Sequence, residues 1–78
     1  MKKGDLKDRI TVNPEVMVGK PTIRGLRITV EQILKALAGG VTVEKLLEDY
    51  PELEREDIQA VLIYASELVN EEQVFAVR

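Results

Sequence analysis

Hydrophobic positions change their period along this chain, and the changes mark out its elements. Arg9-Ile10-Thr11-Val12-Asn13 alternates and is rich in β-branched residues, the pattern of a short strand. Asn13-Pro14 ends it, because proline has no N–H to give to a ladder. Residues 15–21 read as a loop closing on Gly19-Lys20-Pro21. Within Thr22–Ile28 a β-hairpin is expected, with Gly25-Leu26 as a two-residue turn. That register sets Ile23 opposite Ile28 and Arg24 opposite Arg27.

From residue 30 the period becomes helical. Val30, Ile33, Leu34 and Leu37 fall at i, i+3, i+4 and i+7, behind Thr29 as N-cap with Gln32 completing a capping box. Gly39-Gly40 stops this helix. Val43, Leu46, Leu47 and Tyr50 repeat the pattern behind Thr42 and halt before Pro51. A third and longer helix carries Ile58, Val61, Leu62, Ala65, Leu68 and Val69 on one stripe. Glu54, Glu56 and Asp57 crowd its start, where the helix dipole favours carboxylates. Gln73–Arg78 reads as a terminal strand or tail, able to pair with the first strand of its own chain or a partner's. Residues 1–8 are polar and basic and read as a flexible arm. The expected division is therefore an arm at 1–8, one domain at 9–72 (strand and hairpin 9–28, helices 30–72) and a tail at 73–78.

Composition narrows what such a domain can do. The 78 residues contain no histidine, cysteine or tryptophan. Zinc fingers, disulfide staples, and Ser-His-Asp or Cys-His nucleophilic sites are thereby excluded. Gly19-Lys20-Pro21 lacks the spacing of a phosphate loop, and Ser66, the only serine, has no base to activate it. The acidic residues near 52–57 lack the glycine pattern of a calcium loop. Tyr50 and Tyr64 read as core-edge residues. The expectation is a protein that is not an enzyme and needs no metal or cofactor. No apolar run is long enough for a bilayer, and Met1–Asp5 leads into no signal-peptide core, which predicts a cytoplasmic location.

The net charge of −3 conceals an asymmetry. Residues 1–35 carry eight cations against four carboxylates, or +4, and residues 36–78 carry three against ten, or −7. A domain this small has a marginal core, so burial against a second copy is expected, giving a homodimer. The second and third helices, separated by Tyr50–Glu54, have the lengths of a helix-turn-helix, with Leu53 anchoring the corner. A plain three-helix bundle without a DNA role fits the same pattern. On the recognition face Arg55 and Gln59 are the candidate base or phosphate contacts, but Glu56 and Asp57 sit beside them and oppose phosphate. DNA contact therefore shifts toward Lys20, Arg24 and Arg27 in the basic half. Ala60 and Ile63, apolar on the outward side of the third helix, suit a protein contact instead.

Gly19-Lys20-Pro21-Thr22-Ile23-Arg24-Gly25-Leu26-Arg27-Ile28, the Val30–Leu37 helix, Gly39-Gly40, Leu47–Leu53 and Asp57-Ile58 together resemble the domain of unknown function 433 family. Leu26 and Thr29 stand where that family more often has threonine and proline. The resemblance implies a homeodomain-like three-helix fold, mainly α, preceded by a short strand and hairpin. It also implies an antitoxin-like role beside a PIN-like ribonuclease toxin, with operator DNA as a second partner. No catalytic residue is carried over. Against the metal-holding acids and basic groove of such a toxin, Glu71, Glu72 and Arg78 are the expected contacts. The competing expectation is a dimerisation or adaptor domain that touches no nucleic acid.

Overall fold

The computed structural model describes residues 3–71, in which two short strands precede three helices. Strand β1 (Ile10–Val12) pairs antiparallel with β2 (Pro21–Ile23), matching Ile10 with Ile23 and Val12 with Pro21. A single bridge between Thr22 and Thr29 continues the sheet on the far side of β2. The helices are α1 (Val30–Ala38), α2 (Val43–Asp49) and α3 (Arg55–Glu71). The fold is thus mainly helical behind a small antiparallel hairpin, as the periodicity predicts.

The hairpin differs in detail from its expected form. Its long arm is β1–β2, joined through residues 13–20, so Pro21 is a strand residue and not the end of a loop. The Ile23–Ile28 register is as predicted, with the Ile23 N–H donating to the Ile28 carbonyl at 3.0 Å. The tight turn, however, lies one residue earlier than Gly25-Leu26. The Leu26 N–H closes onto the Ile23 carbonyl at 2.7 Å, and the central residues Arg24 and Gly25 have φ of 46° and 75°. Two successive positive φ values are the mark of a type I′ turn, whose twist suits a hairpin. Glycine takes this conformation freely and arginine does not. Something must hold Arg24 there, and the expected Arg24–Arg27 pairing is lost with the shift.

The helix ends follow the sequence closely. The Thr29 hydroxyl accepts from the Gln32 N–H at 3.0 Å, and Gln32 Oε1 accepts from the Thr29 N–H at 2.8 Å. This reciprocal pair is the predicted capping box. Gly39 receives the end of α1, and Gly40 turns the chain away with φ of 96°. The Thr42 hydroxyl caps α2 by accepting from the Lys45 N–H at 3.1 Å.

Ile23, Ile28, Val30, Ile33, Leu46, Leu53, Ile58 and Val61 form the core where strand, turn and three helices meet. Leu53 is buried at the corner between α2 and α3, and Tyr50 and Tyr64 pack at the margin, each as expected. Only the first half of α3 shares this core. At 1.5 Å per residue, α3 runs about 25 Å whereas α1 runs about 13 Å and α2 about 10 Å. The shorter helices cannot follow α3 to its end. Leu68 and Val69, expected on the packed stripe, are consequently 42% and 57% exposed, while Leu62, also expected there, turns away from the core beside buried Val61 and is 49% exposed.

Another flank of α3 is covered by a segment expected to be a flexible arm. Lys3–Arg9 coils into a 3-10 helix lying along α3, with Leu6 half-buried and Lys7 Nζ 3.3 Å from Glu67. Ala60 lies two turns before Glu67 on that flank and is fully buried, so it does not face outward to a partner. Ile63 is half-buried. The expected C-terminal strand at 73–78 lies outside the described residues.

Because the capping box fixes both the start of α1 and the Thr22–Thr29 bridge, Thr29→Ala is expected to cost about 1–2 kcal/mol. Urea unfolding followed by circular dichroism measures this as a lowered midpoint at unchanged m-value.

Candidate functional site

The most concentrated polar chemistry among the described residues surrounds one carboxylate. Asp57 stands in the first turn of α3, and its side chain is fully buried. Arg24 reaches it from the hairpin turn, with Nε 3.0 Å from Oδ1 and Nη2 2.9 Å from Oδ2. Arg9, at the junction of the 3-10 segment and β1, adds Nη1 at 2.9 Å from Oδ1. The Glu54 N–H donates to Oδ2 at 2.8 Å, which satisfies an otherwise orphaned amide at the helix start. Each carboxylate oxygen therefore accepts two hydrogen bonds, filling its capacity. The two-pronged Arg24 contact is the geometry a guanidinium offers and a lysine cannot.

The arginines are tied further. Arg24 Nη2 also donates to the Glu52 carbonyl at 2.7 Å, and Arg9 Nη1 also meets Glu54 Oε1 at 2.8 Å. The Thr11 hydroxyl accepts from the Gly25 N–H at 3.0 Å and lies 3.1 Å from the Thr22 hydroxyl, holding the turn from below. These bonds supply what keeps Arg24 at its unfavourable φ.

The charges respond to this packing. Burial alone pushes the Asp57 carboxyl upward, but the bonds from Arg24, the Glu54 N–H and Arg9 outweigh it and leave the group below its ordinary value. Arg9 is held above its ordinary value by Glu54 and then Asp57, and Arg24 by Asp57. The arrangement has no free base, no nucleophile and no open acceptor. Its chemistry is that of a fastener joining turn, strand and helix.

The residues singled out from sequence for DNA are scattered in role. Arg24 spends Nε and Nη2 inside the molecule. Lys20 pairs with Glu31 at 3.0 Å, and Lys35 meets the same carboxylate at 3.1 Å, which lowers the Glu31 carboxyl. Arg55 bridges to Glu44 at 3.4 Å, and Gln59 is exposed on α3. Arg27 is exposed and lies 3.9 Å from Met17 Sδ, with no carboxylate bonded to it among the described residues. Of these three, Lys20 and Arg24 are thus paired with carboxylates of their own chain, and Arg27 has no such bond among the described residues. Among the partner candidates, Ala60 is buried, Ile63 is half-buried and Glu71 is the last residue of α3. Glu72 and Arg78 lie outside the described residues. No three His, Cys, Asp or Glu side chains gather as a metal site among the described residues. No helix there is long and apolar enough to cross a membrane.

Sequence reasoning missed Arg9 and took Asp57 for a dipole-compensating residue. A signal for Asp57 did exist: an acid three residues after Glu54 can reach back to the helix's first amide. Arg9 is 48 positions from Asp57, and no local pattern connects them.

Removing the carboxylate leaves two part-exposed arginines facing each other without the buried acid they share. Asp57→Ala is therefore expected to cost at least about 3 kcal/mol and to leave much of the chain unfolded in thermal melts. Asp57→Asn keeps the shape but turns an amide NH2 toward guanidinium donors. The carboxylate's contribution is complete above its unfolded pKa of about 3.9. It is lost as pH falls through the lower folded value. The stability gap between wild type and Asp57→Asn should accordingly narrow on acidification below about pH 4, as read by urea midpoints across a pH series.

Comparison with known proteins places the chain in a wider set. The family model described as "Protein of unknown function (DUF433)" matches residues 10–65, a span that includes both strands, α1, α2, Arg24 and Asp57. Uncharacterized protein y4eO of Sinorhizobium fredii (strain NBRC 101917 / NGR234) is 36% identical over 59 residues, or 76% of this chain. The matched segment is only 27% of that relative's length, so the domain there is one part of a longer polypeptide. No solved structure matches the chain. With its strands, two of its helices and the Arg24–Asp57 fastener inside the matched span, the chain belongs to the DUF433 family.

Proposed function

We propose that this protein is a non-catalytic, antitoxin-like interaction module that binds a cationic protein partner, a PIN-like ribonuclease, through the acidic face of α2 and the start of α3. The observation that carries this reading is the charge on the helix-turn-helix surface. Between Val43 and Glu56, Glu44, Glu48, Asp49, Glu52, Glu54 and Glu56 are all exposed. Within that stretch Lys45 and Arg55 oppose them, which leaves −4, and Arg9 pairs with Glu54 from outside it. Both cations are engaged locally, Lys45 with Asp49 at 3.4 Å and Arg55 with Glu44. A surface of carboxylates repels duplex DNA and complements a groove built to hold RNA phosphates.

Operator DNA is the second reading, favoured by one observation: α2, the corner at Leu53 and α3 follow one another as a helix-turn-helix does. Its contacts would have to come from the hairpin, at Arg27 and the Lys20 loop. An adaptor domain that touches no nucleic acid remains the third arrangement, distinguished from the first by the partner's chemistry.

A co-expressed PIN-like nuclease encoded beside this chain's reading frame provides the test. Wild-type protein is expected to co-purify with it and suppress RNA cleavage, with binding that weakens as salt rises. Glu44→Lys, Glu48→Lys and Glu52→Lys combined should abolish both effects without altering the circular dichroism spectrum. Suppression that survives the triple variant overturns the acidic-face assignment. Tight duplex binding with a steep log–log salt slope, lost in Lys20→Glu with Arg27→Glu, would transfer the function to DNA.

A further inference from the structure

We infer that Lys3–Arg9 is a strap that opens: hinged at Arg9 and latched at Lys7, it lifts off α3 and uncovers one face of that helix while the rest of the fold stays closed. Asp57, Ala60, Tyr64 and Glu67 are spaced by three, four and three residues and so share a face of α3. Arg9 is bonded to the first of them and Lys7 to the last, which lays the 3-10 segment along this face, antiparallel to the helix. Ala60, between the two attachments, is fully buried, although the core around Ile58 and Val61 lies on the adjoining face. Among the described residues the segment is what keeps Ala60 from water.

The two attachments are unequal. Arg9 is fixed through its side chain by Asp57 and Glu54, and its carbonyl accepts from the Arg24 N–H at 2.7 Å. Lys7 lies 3.3 Å from Glu67, and both side chains are about half exposed. So exposed a pair contributes little and is screened by salt. Leu6 is the one apolar side chain among residues 6–9, and it is half-buried. Seven residues of 3-10 helix also exceed the roughly three or four that this geometry sustains well. Opening therefore costs one exposed ion pair and a partial burial, whereas releasing Arg9 would strip Asp57 of a charged partner. The strap lifts from its N-terminal side and stops at Arg9. It uncovers an apolar strip that ends in the freed Glu67 carboxylate, and it does so whether or not the acidic face binds a nuclease.

The chain has no cysteine, so in the full-length protein Ala60→Cys places a single reporting thiol under the strap and Val61→Cys places one in the core. Alkylation of Ala60→Cys is expected to be the faster and nearly independent of low urea, as local opening requires. Lys7→Ala should speed it about two- to fivefold, and Leu6→Ala together with Lys7→Ala about tenfold. Thr29→Ala weakens the fold as a whole, so it should speed Val61→Cys about five- to thirtyfold and leave Ala60→Cys unchanged. Equal rates for the two thiols, or an Ala60→Cys rate that follows Thr29→Ala, overturns the strap. A rate indifferent to Leu6→Ala and Lys7→Ala overturns it as well, because another segment must then cover the site. Hydrogen exchange repeats the test without substitution. The amides of residues 6–9 should exchange faster than those of Ile58–Val61 and with little urea dependence, and equal rates with equal urea dependence overturn the proposal.

Discussion

A single buried carboxylate organises this domain. Asp57 receives four hydrogen bonds, and the donors come from three separate stretches: residue 9, residue 24 and the amide of residue 54. None of these stretches is long enough to be stable alone. β1 and β2 have three residues each, and a two-stranded ribbon of that size does not persist in water. The turn between Ile23 and Leu26 places an arginine where a glycine would fit more easily. What holds the ribbon is its attachment to α3 through Asp57, together with the burial of Ile23 and Ile28 against the helices. The desolvation of the carboxylate is offset because every acceptor position is filled.

The same fastener limits what the basic half of the chain can do. Arginine and lysine on a hairpin ahead of a helix-turn-helix suggest phosphate contacts, and their number suggests a positive surface. Once the chain folds, Arg9 and Arg24 turn inward to Asp57, and Lys20 is balanced by Glu31. The charge that is left exposed around the helix-turn-helix is mostly acidic. A separation of +4 and −7 along the sequence is thus partly bridged across the fold, with Lys7, Arg9 and Arg24 joining the N-terminal half to carboxylates of α3.

Several elements were legible from local pattern alone because their determinants are local. The Thr29–Gln32 capping box, the Gly39-Gly40 stop, the Thr42 cap and the Leu53 corner each depend on residues within a few positions of one another. The Ile23–Ile28 register was legible for the same reason. The turn centred on Arg24-Gly25 was not, because arginine in a left-handed conformation is disfavoured until a distant carboxylate compensates it. The burial of Ala60 and the exposure of Leu62 and Val69 were equally hidden. Periodicity shows which side of a helix is apolar, but not how far along it the neighbouring elements extend.

Sequence by itself determined the helices, their caps, the mainly helical class and the exclusion of histidine and cysteine chemistry, since each follows from residue identity or short-range spacing. Only the tertiary structure decided which charges are available. Whether an arginine contacts a partner or fastens the fold depends on what lies across from it in space, and Arg9 and Asp57 are separated by 48 positions in the chain. The structure likewise decided that α3 outruns its neighbours, because helix lengths translate into an uncovered surface only when the helices are packed together.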